Sequence, residues 1–235
     1  MALSQRADLR QRADTILDAV AALVMSDGAR RLRIEEVAGR AGVGKGTVYL
    51  HWSSREHLLI AAGAREAATM YDEVVAAIRA DPGEAALSRY LRRHFNATAR
   101  RPILNRIFVT DTAELAYVAN HPARAALAAS KRAAVREYLK ALQAGRLLRP
   151  GLDLDEIDYA AEAIAYGFFA AEPLLPARLS LEQRADQLAE VLHRSFEPVR
   201  APSAERYEAA ASQVIDAFQR LADDFRRTAY GTAAD

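Results

Sequence analysis

The sequence predicts an all-α protein, and three observations carry that expectation. Apolar residues recur at helical spacing through almost the whole chain, as with Ile34, Val37, Ala38 and Ala41 in "LRIEEVAGRA". The stretches between breaks are rich in Ala, Leu, Glu and Arg, which have high helix propensity. No stretch alternates apolar and polar residues as a half-buried strand does.

The bulk numbers narrow the class. With 235 residues, 51% hydrophobic and 27% charged, the chain can bury one large core or two smaller ones. A net charge of +1 means that a nucleic-acid partner must be argued from local placement of charge. There is no cysteine, so disulfides and thiolate metal sites are excluded. No apolar run approaches the roughly 20 residues that span a bilayer, and "MALSQRADLRQR" is too charged for a signal peptide. A cytoplasmic location is expected.

Each helix has its own warrant. The first is expected at 5–26, with Ile16, Leu17, Val20, Leu23 and Val24 on one face and Gly28 ending it. Helices at 33–40 and 44–50 follow, separated by Gly42 and Val43. A long helix is expected at 54–79, with Ser53 and Glu56 as a capping box and Asp81-Pro82-Gly83 as the stop. Further helices are predicted at 84–99, 101–109, 112–119, 122–145, 153–172, 180–197 and 203–229, punctuated by prolines and glycines.

One motif invites an enzymatic reading. "GRAGVGKGT", residues 39–47, is one slot away from a phosphate-cradling loop, with Gly46 where the Mg²⁺-binding hydroxyl belongs. Such a loop must leave a buried parallel strand, whereas Ile34, Val37, Ala38 and Ala41 lie on one helix face ahead of it. Two short helices around Gly42 have instead the dimensions of a helix-turn-helix, whose second helix enters the major groove. Gly44 and Gly46 at the start of that helix allow close backbone approach to phosphates.

Residues 16–59 closely resemble the TetR family of bacterial transcriptional regulators. The pattern consists of Gly28, Val37, Ala38, Ala41-Gly42-Val43, Gly46-Thr47, Tyr49, an aromatic at 52, a basic residue at 55 and Glu56-x-Leu58. The resemblance implies that Lys45, Gly46, Thr47, Tyr49 and His51 face DNA and that Arg55 contacts a phosphate. Trp52 is assigned to the core of the small domain. Leu32-Arg33 replaces the family's usual Ser or Thr pair, so Arg33 is expected to reach a phosphate where a cap hydroxyl would sit. Residues 1–60 carry nine Lys or Arg against seven Asp or Glu, so the basic groups must be segregated on one face.

The resemblance also implies two domains, 1–53 for DNA and 54–230 for ligand binding and dimerisation. Operator half-sites one helical turn apart require a two-fold dimer. Its seam is expected from Ile157, Ala161, Ile164 and Phe168 with Leu188, Leu192 and Phe196. A pocket for a small, largely apolar effector is expected from Tyr90, His94, Phe108, Glu114, Tyr117, Tyr138, Tyr166 and Phe169. The last helix exceeds the common family length and is expected to enlarge the dimer interface or cap the ligand domain. The five histidines form no i, i+4 pair, and no cofactor, metal or catalytic set is readable.

The expected function is therefore a homodimeric, non-enzymatic regulator, most simply a repressor released from palindromic operator DNA by an effector. Two alternatives stay open: a DNA-binding helical dimer controlled by a protein partner or by nothing, and a phosphotransferase using residues 39–47.

Overall fold

The computed structural model describes residues 2–104, 118, 120–171, 175 and 178–231, with side chains from Ala7 onward. Among the described residues there is no strand. The helices are α1 (Ala2–Asp27), α2 (Ile34–Ala41), α3 (Lys45–His51), α4 (Arg55–Ala80), α5 (Leu87–Ala99), α6 (Pro122–Ala144), α7 (Leu154–Ala170), α8 (Leu181–Phe196) and α9 (Ala204–Tyr230). The helices expected at 101–109 and 112–119 lie largely outside the described residues.

Local chemistry explains most boundaries. Gly28, at φ 86°, turns the chain out of α1, and its N–H donates to the Val24 carbonyl at 3.1 Å. Asp153 caps α7 by accepting from the Asp155 and Glu156 N–H groups, and Ser180 with Gln183 forms a reciprocal capping box on α8. Asp81 does not simply stop α4. Its carboxylate accepts from the Gly83 N–H and starts a 3₁₀ turn, Pro82–Ala85, so α5 begins at Leu87 rather than at 84.

The capping box expected from Ser53 and Glu56 is shifted by one residue. Ser54 Oγ accepts from the His57 N–H at 3.0 Å, and the Ser53 N–H points back to His57 Nδ1 at 3.4 Å. Glu56 instead meets Arg55, 3.3 Å away. Histidine at the third helical position supplies the return acceptor normally given by Glu or Gln.

The chain forms two compact units, neither of them one continuous stretch. The first comprises 1–68, 101–129 and 223–235; the second comprises 69–100 and 130–222. This division differs from the functional one expected at residues 53/54. A helix start marks a change of direction, and α4 continues past it with Leu58, Leu59 and Ile60 buried.

In the first unit α1 packs on α2, burying Ile16, Leu17, Val20 and Val24 together with Ile34 and Val37. In the second, α5 packs chiefly on α8. Arg92, Asn96 and Arg100 of α5 all reach Glu182 of α8, and Arg92 also binds Asp186 at 2.6 Å. Buried Glu197, just after α8, accepts from the Ser88 N–H at 2.7 Å, placing a carboxylate at the positive end of α5.

The seam expected for a dimer is largely internal to one chain. Ile157, Ala161, Leu188, Leu192 and Phe196 are buried within the chain itself, and Ile164 and Phe168 are half-buried. The helical stripe was correct as an apolar face, but periodicity does not say whether a face is covered by the same chain or by another. The exposed apolar residues on these helices are Tyr159, Tyr166 and Val191.

This placement makes neighbouring residues of α8 behave differently. Leu192→Ala is expected to cost about 2–5 kcal/mol of unfolding free energy, as for a fully buried leucine. Val191→Ser should change it by less than about 0.5 kcal/mol. Urea denaturation of both variants checks the pair, and equal losses would contradict the packing.

Candidate nucleic-acid interface

The stretch 34–51 is helix, turn, helix. Gly42 adopts φ 67°, a left-handed conformation open to glycine, and its N–H donates to carbonyls of the last turn of α2. Phosphate loops leave a strand, and the residues ahead of these glycines are the helix α2.

Helix α3 has one face inward and one outward. Val48 is fully buried, and Trp52, whose N–H closes the helix by donating to the Val48 carbonyl at 3.0 Å, is 1% exposed. The outward face carries Lys45, Gly46, Tyr49 and Leu50, with Tyr49 half-exposed and Leu50 86% exposed. A Cβ added at Gly44 or Gly46 would meet nothing within 4 Å, so this end of the helix is open surface. Thr47 and His51 are half-buried at its flanks.

The profile of "Bacterial regulatory proteins, tetR family" matches residues 16–62, the stretch that contains this geometry. The N-terminal domain is of the TetR type. The chain is 34% identical over 98 residues to the "HTH-type transcriptional repressor KstR" of Rhodococcus jostii (strain RHA1). That match covers 40% of this chain and 44% of the relative, less than half of its length. Among solved structures, SmeT, described as the repressor of the Stenotrophomonas maltophilia multidrug efflux pump SmeDEF, shares the fold with a TM-score of 0.58. It is 19% identical, over 81% of this chain and 94% of SmeT. A putative transcriptional regulator from Saccharomonospora viridis, solved in complex with choline, gives a TM-score of 0.57 at 18% identity, over 80% of this chain and 99% of that one.

Within the TetR-type domain each basic residue picked from the sequence has a carboxylate neighbour. Lys45 is ion-paired with Glu35 of α2, which holds the ammonium above and the carboxyl below their ordinary values. Arg33, 75% exposed, stands 3.6 Å from Glu36. Arg55 faces Glu56, and it also donates to the Arg30 carbonyl at 2.9 Å, fastening α4 to the turn after α1. Glu35 and Leu50 were missed in the sequence. Glu35 reads as an ordinary solvated position on α2, and Leu50 as one more apolar residue of a short helix.

His51 is held below its ordinary pKa, first by burial and then by the Arg12 guanidinium. Its ring lies 5.1 Å from Trp52. It therefore packs against the core from the edge of the outward face.

The expected pocket residues separate into groups. Tyr90, His94 and Tyr138 meet in the second unit: Tyr90 lies 5.9 Å from His94 and 5.1 Å from Tyr138, centroid to centroid. Phe218 stacks on Tyr90 at 4.8 Å, and Tyr71, absent from the sequence reading, lies 6.3 Å from His94. The Tyr138 hydroxyl donates to the Ala85 carbonyl at 2.9 Å, so Tyr138 is committed to the core. Phe169 belongs to a second cluster, 4.6 Å from Phe95. Tyr166 joins neither cluster: it is 52% exposed, because helical periodicity turns it to the far side of α7 from Ile157 and Ala161. Phe108, Glu114 and Tyr117 lie outside the described residues.

His94 is held down from the ordinary 6.5 to about 3, by burial first and the Lys131 ammonium second. Lys131 itself binds Glu162 at 2.5 Å. The folded chain thus keeps a neutral imidazole among Tyr71, Tyr90 and Lys131. Because the folded pKa is depressed, the unfolded chain takes up this proton first as pH falls below 6.5. Stability from neutral His94 is fully present above that value and is lost progressively towards pH 3. His94→Gln should flatten the fall in stability over that window by up to one proton. Urea titrations of both proteins between pH 4 and 7 test it, and a pH-independent difference would contradict it.

Proposed function

We propose that the chain is a transcriptional regulator that binds palindromic operator DNA as a homodimer and is released by a small, largely apolar effector. The observation that carries the reading is α3. A helix of seven residues buries Val48 beneath it and turns Lys45, Gly46, Tyr49 and Leu50 outward, an arrangement suited to the major groove. Arg33 and Arg55 flank it as phosphate ligands, Thr47 and Tyr49 supply hydroxyls, and His51 completes the edge.

The relatives support regulation in kind: one is named a transcriptional repressor, and another was solved with choline. For this chain, the neutral His94 among Tyr71 and Tyr90 offers an aromatic setting with few polar groups, which favours a mostly apolar effector. An effector that binds about 100-fold better to a conformation whose recognition helices miss two successive grooves supplies about 2.7 kcal/mol of coupling, enough for release. The proposed activity is binding, not catalysis.

Selection of duplexes from a random pool by the full-length chain tests the reading. The expected product is a palindromic site whose binding weakens steeply with salt. Lys45→Ala should lower the affinity and reduce the magnitude of the salt slope by about one unit. Enrichment of no sequence would overturn the DNA-binding role, and an unchanged slope would remove Lys45 from the phosphate contacts.

For the dimer we propose the exposed face of α7 marked by Tyr159 and Tyr166, beside the buried stripe. Tyr166→Glu should then shift sedimentation towards the monomer and abolish the two-fold footprint. A variant that remains dimeric at the wild-type concentration would place the interface elsewhere.

A further inference from the structure

The last turns of α9 lie in the same compact unit as the TetR-type domain, although Trp52 and Ala229 stand 177 residues apart in sequence. Three contacts fasten them. The Trp52 indole N–H donates to the Ala229 carbonyl at 3.0 Å in a buried hydrogen bond. The Tyr230 hydroxyl donates to Asp14 Oδ1 at 2.6 Å. The Arg10 guanidinium lies over the Tyr230 ring, 3.5 Å from its centroid.

The knot extends into α4. Arg65, 16% exposed, lies 3.7 Å from Asp14 and binds Asp18 at 2.8 Å. Helices α1, α4 and α9 therefore converge beside the residue that ends α3. The Ala229 carbonyl is one of the last four of its helix, the acceptors that a helix itself leaves open, and Trp52 supplies it a donor. Trp52 also terminates α3 through its own N–H, so its position and that of α3 are linked covalently and by hydrogen bond.

We propose that the C-terminal turn of α9 is a positioning element for the recognition helix, with Trp52 and Tyr230 as positioning residues; this rests on the DNA-binding reading above. A seven-residue helix has too few hydrogen bonds to hold itself, so its placement comes from what it packs against. Reading base edges requires placement within about 0.5 Å, whereas flexible basic side chains reach phosphates over a wider range. Loosening the turn should therefore damage specific binding and spare sequence-blind binding.

The chain has one tryptophan, so its emission reports directly on this contact. The test uses full-length Tyr230→Phe and Tyr230→Ala, with Leu192→Ala in the core of the second unit as a control destabilised elsewhere. Three quantities are measured well below the melting temperature: the Trp52 emission maximum, the ratio of affinities for the selected site and a scrambled duplex, and helicity. Tyr230→Ala is expected to move the emission to the red, keep helicity, and lower the affinity ratio about tenfold by degrading base readout. Tyr230→Phe, which keeps the ring under Arg10 and loses the hydroxyl, should fall between. Leu192→Ala should keep the ratio while melting earlier.

An unchanged ratio in Tyr230→Ala would overturn the proposal and leave the DNA-binding reading standing. An equal fall in Leu192→Ala would overturn it too, by reducing the effect to stability. If the wild-type chain prefers no sequence over the scrambled duplex, the DNA-binding reading fails and this proposal with it.

Discussion

The burial of Val48 and Trp52 is the constraint on which the candidate interface depends. Forming the first helical turn fixes several dihedrals for a single hydrogen bond, so a seven-residue helix gains little from its own backbone. With Gly44 as N-cap, α3 also lacks a side-chain cap. What holds it is tertiary: one valine sealed beneath it, one tryptophan sealed behind it, and an indole N–H anchored on a distant carbonyl. The outward face is thereby free to be chosen for chemistry rather than for packing.

That chemistry is one of exchange. Lys45, Arg33 and Arg55 each face a glutamate, at positions 35, 36 and 56 respectively. At these three positions the basic groups are thus held as paired charges. On the proposed DNA-binding reading, a phosphate at any of these groups would replace a carboxylate as well as water. Exposed pairs of this kind contribute little to stability, about 0–1 kcal/mol, so giving them up costs little.

The second unit is built on a different economy of polar groups. Tyr71, Tyr90 and Tyr138 surround Phe218, and burial raises the pKa of each phenol, so they act as neutral aromatic surface. His94 is neutral for the same reason. Charge is moved to its margin, in the Lys131–Glu162 pair and in the Glu182 cluster between α5 and α8. Such an interior presents aromatic surface with its charge held at the edge.

Sequence alone determined the all-helical class, the helix-turn-helix and its family resemblance, and most helix ends, because these depend on neighbours a few residues apart. Spacing at 3.6 residues marks an apolar face, Gly42 marks a left-handed turn, and Ser180 with Gln183 marks a helix start. The residues of α3 were legible for the same reason. What covers each face was decided only by the tertiary structure. Leu188 and Leu192 looked like a seam between subunits and proved to be core of one chain, while Tyr166, read as pocket, faces outward. The partners of Lys45 and Trp52 were equally invisible, since Glu35 sits on the preceding helix and Ala229 lies 177 residues away. Local periodicity is set by backbone geometry common to every helix, whereas the choice of partner depends on the packing of the whole chain.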